Sequence, residues 1–186
     1  MTHFEYLSVA VSIVLSLGLV RLVGGFRSVV ESSERHWLVL TWIIILITLF
    51  LGHWWTSWSF RGAEWTFLKF VMVLGGPAIL YFTATAVVPD DPKAVQDWRD
   101  FYFLRRKELY AGLLAYMVFS IFDGFLVLDA PLLATPRIVQ GIAIVLALIG
   151  IASKNPIVHG AITLLYGLVF AVSALTVIAT PDATIT

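Results

Sequence analysis

The sequence predicts an all-α bundle of six membrane-spanning helices that form one domain over residues 1–186. Hydrophobic residues make up 60% of the chain, only 13% are charged, and the mean hydropathy is +0.92. A soluble domain is about 45–50% apolar and about 25% charged. Apolar segments also recur at about 20 residues, the length that crosses a bilayer core as a helix. This composition excludes a soluble enzyme, a disordered tail and a nucleic-acid binder with a basic surface.

Six segments are apolar enough to be read as spans. They are Glu5–Phe26, Trp37–Phe60, Trp65–Val88, Glu108–Leu128, Arg137–Ser153 and Pro156–Ala179. The fifth is the shortest, so five spans are the fallback. The first apolar run follows an acidic start without Lys or Arg, which predicts an uncleaved helix rather than a signal peptide.

Basic residues predict the orientation. Loops on the cytoplasmic side of a membrane protein carry an excess of Lys and Arg. Nine basic residues fall at one end of the predicted spans and three at the other, so we expect both termini outside the cytoplasm, in a bacterial inner membrane. The nine are Arg21, Arg27, Arg35, Lys93, Arg99, Arg105, Arg106, Lys107 and Lys154, and the three are Arg61, Lys69 and Arg137.

The longest predicted loop is Pro89–Lys107. Asp91 followed by a proline is a favourable helix start. Apolar residues with roughly helical spacing then predict an interfacial helix on the cytoplasmic leaflet, leading into the fourth span. Arg105, Arg106 and Lys107 are expected at lipid headgroups, either as an anchor or as a specific lipid-head site.

Four tryptophans lie around the opposite end of the second and third spans. They are Trp54, Trp55, Trp58 and Trp65. Interfacial tryptophans usually anchor a protein at headgroup level. The alternative is the rim of an aromatic ligand site.

Polar residues within the spans are the candidate functional residues, because ionisable groups are costly in hydrocarbon. Counting along the spans places four in the outer half and His159 in the other. The four are Glu5, His53, Lys69 and Asp123. We predict Asp123 and Lys69 as a pair that is either a coupling or gating pair or a structural one.

Helical spacing gathers further polar residues on single faces. Tyr116, Ser120 and Asp123 share a face of the fourth span, and His159, Thr163 and Tyr166 share a face of the sixth. Such faces must meet protein or water. They line either a polar path or a helix–helix interface.

Gly75, Gly76 and Pro77 lie near the middle of the third span. Proline removes a backbone hydrogen bond and clashes with the preceding turn. A kink is expected here, either as a hinge beside a substrate site or as a packing feature.

Catalytic and cofactor motifs are missing from the sequence. The chain has no cysteine, which excludes thiolate and disulfide chemistry, and it has no phosphate-binding or Ser-His-Asp motif. We expect no enzyme activity and no cofactor, with a metal or chromophore as a minor alternative.

The opening segment Phe4–Leu19, the segment Gly52–Trp55 and the third loop resemble small bacterial multi-pass membrane proteins of unknown function. The resemblance covers about half the chain and implies a bacterial origin, with no activity or site residue.

Three functions follow as hypotheses. The first is a homo-oligomeric channel or transporter for an ion or small solute. The second is a non-catalytic accessory or assembly subunit of a larger membrane complex. The third is a binder or sensor of a small ligand, lipid or pigment. Membrane lipid is an expected partner and nucleic acid is not.

Overall fold

The protein is all-helical in a computed structural model that describes residues 2–128 and 136–176. Six α-helices follow one another along the chain. They are α1 His3–Glu31, α2 Trp37–Thr56, α3 Phe67–Val87, α4 Trp98–Leu128, α5 Pro136–Ala152 and α6 Pro156–Thr176. Two 3₁₀ helices, Ser57–Gly62 and Pro92–Ala94, follow α2 and α3. The predicted all-α class is confirmed.

Five of the helices are long and apolar enough to cross a membrane, and α5 is a shorter apolar helix of 17 residues. The bundle exterior is strongly apolar: Phe67 is 83% exposed and Ile157 is 81% exposed. Large contiguous apolar surfaces are rare on soluble monomers. Exposed apolar side chains of this kind are stable in the hydrocarbon core of a membrane, so the chain is a multi-pass membrane protein.

The start of α1 is fixed by a capping box. The Thr2 hydroxyl accepts from the Glu5 backbone N–H at 3.2 Å, and the Glu5 carboxylate accepts from the Thr2 N–H at 2.8 Å. This arrangement satisfies two backbone donors that a helix start leaves open. Glu5, predicted as part of a polar path, is exposed and caps the helix instead.

The predicted interfacial helix before the fourth span is not a separate helix. Asp91 caps only the three-residue turn Pro92–Ala94. The chain then starts α4 at Trp98, where the Asp97 carboxylate accepts from the N–H groups of Arg99 and Asp100. Trp98 is only 1% exposed, because it packs into the bundle rather than lying among headgroups. The structure therefore corrects the start of the fourth helix by ten residues.

Contacts between side chains show that the helices alternate in direction. Residues of α2 and α4 meet in the same order along both helices, so these helices are parallel. Residues of α3 and α4 meet in opposite order, so these helices are antiparallel. The pairs are Trp42 with Tyr110 and His53 with Tyr116, then Gly75 with Phe119 and Thr83 with Gly112.

This alternation brings the loops 32–36, 88–97 and 153–155 to one end of the bundle. The Trp98 N–H donates to the Glu34 carbonyl at 3.4 Å, and the rings of His36 and Tyr102 stack with centroids 6.4 Å apart. We call this end the basic end, because the nine basic residues counted in the sequence lie at or near these loops.

Glycines allow close helix packing at several of these contacts. A Cβ atom placed on Gly25 of α1 would overlap the Val88 side chain at the end of α3. Arg21 lies one turn earlier and donates to the Val88 carbonyl at 2.7 Å and to the Asp90 carboxylate. These contacts together hold α1 against the end of α3.

We expect Gly25→Ala to destabilise the protein by about 1–3 kcal/mol, because the added methyl overpacks a filled contact. Gly24→Ala is the matched control: its Cβ would meet no atom within 4 Å, and alanine favours a helix over glycine. Thermal unfolding in detergent measures both variants. Equal stability of the two would contradict the packing role of Gly25.

Candidate functional site

A pocket of about 150 Å³ lies between α2, α4, α5 and α6, at the half of the bundle away from the basic end. Seven of its lining residues carry hydrogen-bonding side chains: Thr48, His53, Thr56, Tyr116, Ser120, Gln140 and Ser173. The other walls are apolar and include Met117 and Phe170. We call it the His53 pocket.

His53 is held against Tyr116. Its Nδ1 lies 3.1 Å from the Tyr116 hydroxyl, and the two rings are tilted at a centroid distance of 5.9 Å. The Nε2 atom is buried and has no hydrogen-bond partner among the described residues. Unpaired buried polar atoms are uncommon and need an explanation. Here the orphaned nitrogen belongs to a side chain that lines the pocket.

Gly76 makes room for the His53 ring. A Cβ atom at Gly76 would lie 2.7 Å from His53 Cε1. Similarly, a Cβ at Gly75 would press on the Phe119 ring. The helix α3 continues through Pro77 from residue 67 to residue 87. Close approach therefore gives both glycines a packing role, and a hinge here stays a prediction.

One wall of the pocket is tied together by an amide. The Gln140 Nε2 of α5 donates to the Ser120 hydroxyl of α4 at 2.8 Å, while its Oε1 accepts from Arg137 at 2.8 Å. The Arg137 guanidinium packs on Gly124, where a Cβ would lie 2.8 Å from it. These bonds fix the shorter helix α5 against α4.

Asp123 is buried near this wall without a counter-charge. Asp123 is 7% exposed, and its Oδ1 atom has no hydrogen-bond partner among the described residues. All twelve Lys and Arg residues of the chain lie in the described residues, and none forms an ion pair with Asp123. An ionised Asp at the centre of a membrane helix costs about 2.5–3.5 kcal/mol on insertion scales.

The predicted Asp123–Lys69 pair therefore forms no ion pair in this structure. Lys69 lies in the first turn of α3, next to the capping residue Thr66, whose hydroxyl accepts from its N–H at 3.3 Å. A lysine at a helix end keeps its amine in the polar interface by extending its stem. Helical counting correctly put both residues in the same half of the bundle, but it did not give the direction of the lysine stem.

A second polar cluster lies at the basic end. The Tyr102 hydroxyl is 3.0 Å from the Tyr110 hydroxyl and 3.0 Å from His159 Nδ1, and the Tyr110 hydroxyl is 3.2 Å from the same nitrogen. His159 Nε2 lies 3.1 Å from the Ser153 carbonyl. A carbonyl only accepts, so Nε2 carries the hydrogen and Nδ1 accepts from a tyrosine. We call these three side chains the tyrosine–histidine cluster.

Arg106 closes the cluster toward the α5–α6 turn. Its Nε donates to the Ser153 carbonyl at 3.1 Å, and its guanidinium also donates to the Phe103 carbonyl. Arg106 is buried, which corrects its predicted place at the headgroups. Its position on the inner face of α4, one turn after Tyr102, is the reason. Arg105 instead pairs with Glu108 at 2.7 Å, and Lys107 is exposed.

His36 covers the cluster from the α1–α2 loop, where its ring stacks on Tyr102. Burial lowers the pKa of His36 below its usual value of 6.5, and the positive charge of Arg99 lowers it further. Asp97 opposes the shift by raising the pKa. The covering ring is therefore favoured as the neutral imidazole.

The predicted polar face of α6 is confirmed as one buried face. His159, Thr163 and Tyr166 are fully buried. Both hydroxyls bond to backbone carbonyls: the Thr163 hydroxyl donates to the His159 carbonyl at 2.8 Å, and the Tyr166 hydroxyl donates to the Ala143 carbonyl of α5. Phe170 stacks on Tyr166 at 6.0 Å and also lines the His53 pocket. It separates the pocket from the rest of the polar face.

The predicted tryptophan rim forms a second pocket of about 480 Å³ between the start of α1 and the end of α2. Trp54, Trp55 and Trp58 line it and are largely exposed. Trp54 donates to the Ser12 hydroxyl at 3.1 Å, and the Arg61 guanidinium lies 5.1 Å from the Trp58 ring centre. Trp65 lines a separate pocket of about 390 Å³ instead.

Sequence reasoning missed Tyr102, Tyr110 and Gln140. The two tyrosines are eight residues apart and share a helix face only if α4 already includes Tyr102. Starting the fourth span at Glu108 hid this spacing. Gln140 lies in the shortest predicted span, and Arg137, three residues earlier on the same helix, entered the prediction only as a basic residue that sets the orientation.

No family model matches this chain, and neither a curated protein nor a solved structure is significantly similar to it. The geometry alone defines the class of the protein: a helical multi-pass membrane protein with a mostly apolar pocket that seven hydrogen-bonding side chains help to line, and a separate buried hydrogen-bond cluster.

We expect His159→Phe to destabilise the protein by at least about 1–3 kcal/mol, because the ring is kept while a buried tyrosine hydroxyl loses its acceptor. Tyr81→Phe removes a hydroxyl outside both clusters and should change stability by less than about 0.5 kcal/mol. Thermal unfolding in detergent compares them. A His159→Phe protein as stable as Tyr81→Phe would show that the cluster contributes nothing.

Proposed function

We propose that the protein is a small membrane channel or transporter that moves an ion or small solute along a polar path beginning at the His53 pocket. The pocket itself carries this proposal. Polar side chains are costly in hydrocarbon unless they face protein or water. Seven of them line one pocket among helices that are apolar enough to span a membrane.

The size and chemistry of the pocket support a small polar occupant. A water molecule occupies about 30 Å³ of liquid, so about 150 Å³ holds a few waters or one small solute. Hydroxyl, amide and imidazole groups offer both donors and acceptors. The lining residues carry no fixed charge, which suits a neutral solute or a single small ion.

The onward path runs along the buried face of α6. Phe170 closes the pocket floor, and Tyr166, Thr163 and the tyrosine–histidine cluster continue toward the basic end. In this proposal the present conformation is open at the pocket and closed at the cluster. Alternating access requires a path that is open at one end while it is closed at the other.

We also propose six spans in a bacterial inner membrane, with both termini on the outer side and a homo-oligomeric assembly. The alternating helix directions support a sixth crossing by α5, and nine basic residues at one end support its cytoplasmic placement under the positive-inside rule. Exposed apolar faces on every helix leave surface for a second copy.

A non-catalytic accessory subunit is the second candidate. It is favoured by the way several buried hydroxyls, including Thr163 and Ser173, bond to carbonyls of their own helix. Hydroxyls used in this way serve helix packing and need no permeant species. Foreign subunits copurifying from native membranes in fixed ratio, with no flux from the isolated protein, would favour this function.

Filling the pocket tests the transport proposal. We expect Ser173→Phe to abolish flux of protons, monovalent cations or small neutral solutes in proteoliposomes, because Ser173 is buried and lines the pocket. Leu175→Phe is the control on the same helix, since Leu175 is 79% exposed and faces lipid.

Flux through the wild type and Leu175→Phe, but not through Ser173→Phe, supports a path through the pocket. Equal flux through all three proteins would rule that path out. Each variant is first checked for an unchanged elution volume in size-exclusion chromatography, which separates blocked protein from misfolded protein.

A further inference from the structure

We infer that Asp123 holds a proton in this conformation and is the group that carries protons through the protein, so that transport is coupled to protons. The inference rests on the proposed function and deepens it by naming the coupling ion. It replaces the predicted charge pair with a single titrating carboxyl.

Asp123 forms no ion pair with any described residue. From α3, Lys69 forms no ion pair with Asp123, and from α5, Arg137 is engaged by Gln140 and the Ser120 carbonyl. From the 3₁₀ helix after α2, Arg61 lies over the Trp58 ring. An ionised carboxylate would therefore be buried without an ion pair, which the hydrocarbon region disfavours strongly.

Within the part of the chain that the structure describes, Asp123 also lacks a hydrogen-bond donor at its buried oxygen Oδ1. A buried carboxylate usually accepts several N–H or O–H bonds, yet Asp123 Oδ1 has no partner among the described residues and is closed off from solvent. A neutral carboxylic acid tolerates such a position far better than an anion. Two independent features, charge and hydrogen bonding, thus favour the protonated form.

Asp123 shares a face of α4 with two residues that line the His53 pocket. Ser120 lies one turn before Asp123 on the same face of α4 and lines the pocket. Tyr116 lies one turn before Ser120 and is hydrogen-bonded to His53. His53 is the other titratable group that faces this region from α2, and its Nε2 is also without a partner.

The proton step is simple and balanced. The O–H bond of Asp123 breaks, the proton passes to solvent on one side of the membrane, and the residue becomes a carboxylate. A proton taken up from the other side restores the acid. The carboxylate is stable only in a conformation that hydrates it, so release requires a change of conformation.

Infrared difference spectroscopy of the full chain in nanodiscs tests the resident proton directly. At neutral pH we expect a protonated carboxyl C=O band that shifts in deuterated water. It should be absent from Asp123→Asn and present in Asp100→Asn, an exposed acid on the same helix. Absence of the band from the wild type, or its persistence in Asp123→Asn, overturns the inference.

Proton flux tests the carrying role. Proteoliposomes with an internal pH-sensitive dye and an imposed pH gradient should acidify with wild type and Asp100→Asn, lose the signal in Asp123→Asn, and regain part of it in Asp123→Glu. Wild-type proton flux that survives Asp123→Asn overturns the inference but leaves the pocket path in place. A wild type that conducts no proton, ion or solute overturns the proposed function instead.

Folding provides a further check. Asn replaces a neutral acid with a neutral amide of the same shape, so Asp123→Asn should unfold at the same temperature as wild type. Failure of Asp123→Asn to fold, while Asp100→Asn folds, would mean that the native state needs the carboxylate and would overturn the inference.

Discussion

The cost of an unpaired polar group in hydrocarbon governs this structure. It forces the backbone into six helices, whose internal hydrogen bonds satisfy each peptide group. It also gathers the polar side chains between helices, because lipid cannot solvate them. The buried face of α6 and the Tyr116–Asp123 face of α4 both follow from this constraint. An apolar exterior and two interior polar clusters are its joint consequence.

The tyrosine–histidine cluster satisfies that constraint within itself, although the neighbouring His36 Nδ1 and Trp42 Nε1 are buried without a partner among the described residues. At the basic end, His159, the two tyrosines and Arg106 exchange hydrogen bonds with one another and with nearby carbonyls. A satisfied network of this kind rigidifies the helices that it joins. In the other half, His53 and Asp123 each keep one buried atom without a partner. Unsatisfied groups beside a pocket are where a bound solute or an exchanged proton lowers the free energy, which supports the function proposed for the His53 pocket.

Glycine positions connect the packing with the site. Gly76 lets α3 approach the His53 ring, and Gly124 lets the Arg137 guanidinium lie close to α4. Without these close approaches neither the His53 pocket nor its amide wall would have its present shape. The same residue type therefore contributes to both the fold and the site through the absence of a side chain. The segment Gly75–Pro77 therefore contributes to helix packing although α3 continues through it.

Hydropathy and helical periodicity alone determined the membrane class, five of the long helices, the shared faces of α4 and α6, and the separation of His53 from His159. These properties depend on local composition and on the 3.6-residue period, which a sequence contains. Only the tertiary structure decided that α4 begins at Trp98, that Arg106 is buried, that Tyr102 and Tyr110 meet His159, and that Lys69 does not reach Asp123. Each of these depends on which helices are neighbours and on the direction that a long side chain takes. The spacing of residues in the sequence specifies neither the neighbouring helices nor the direction of a side chain.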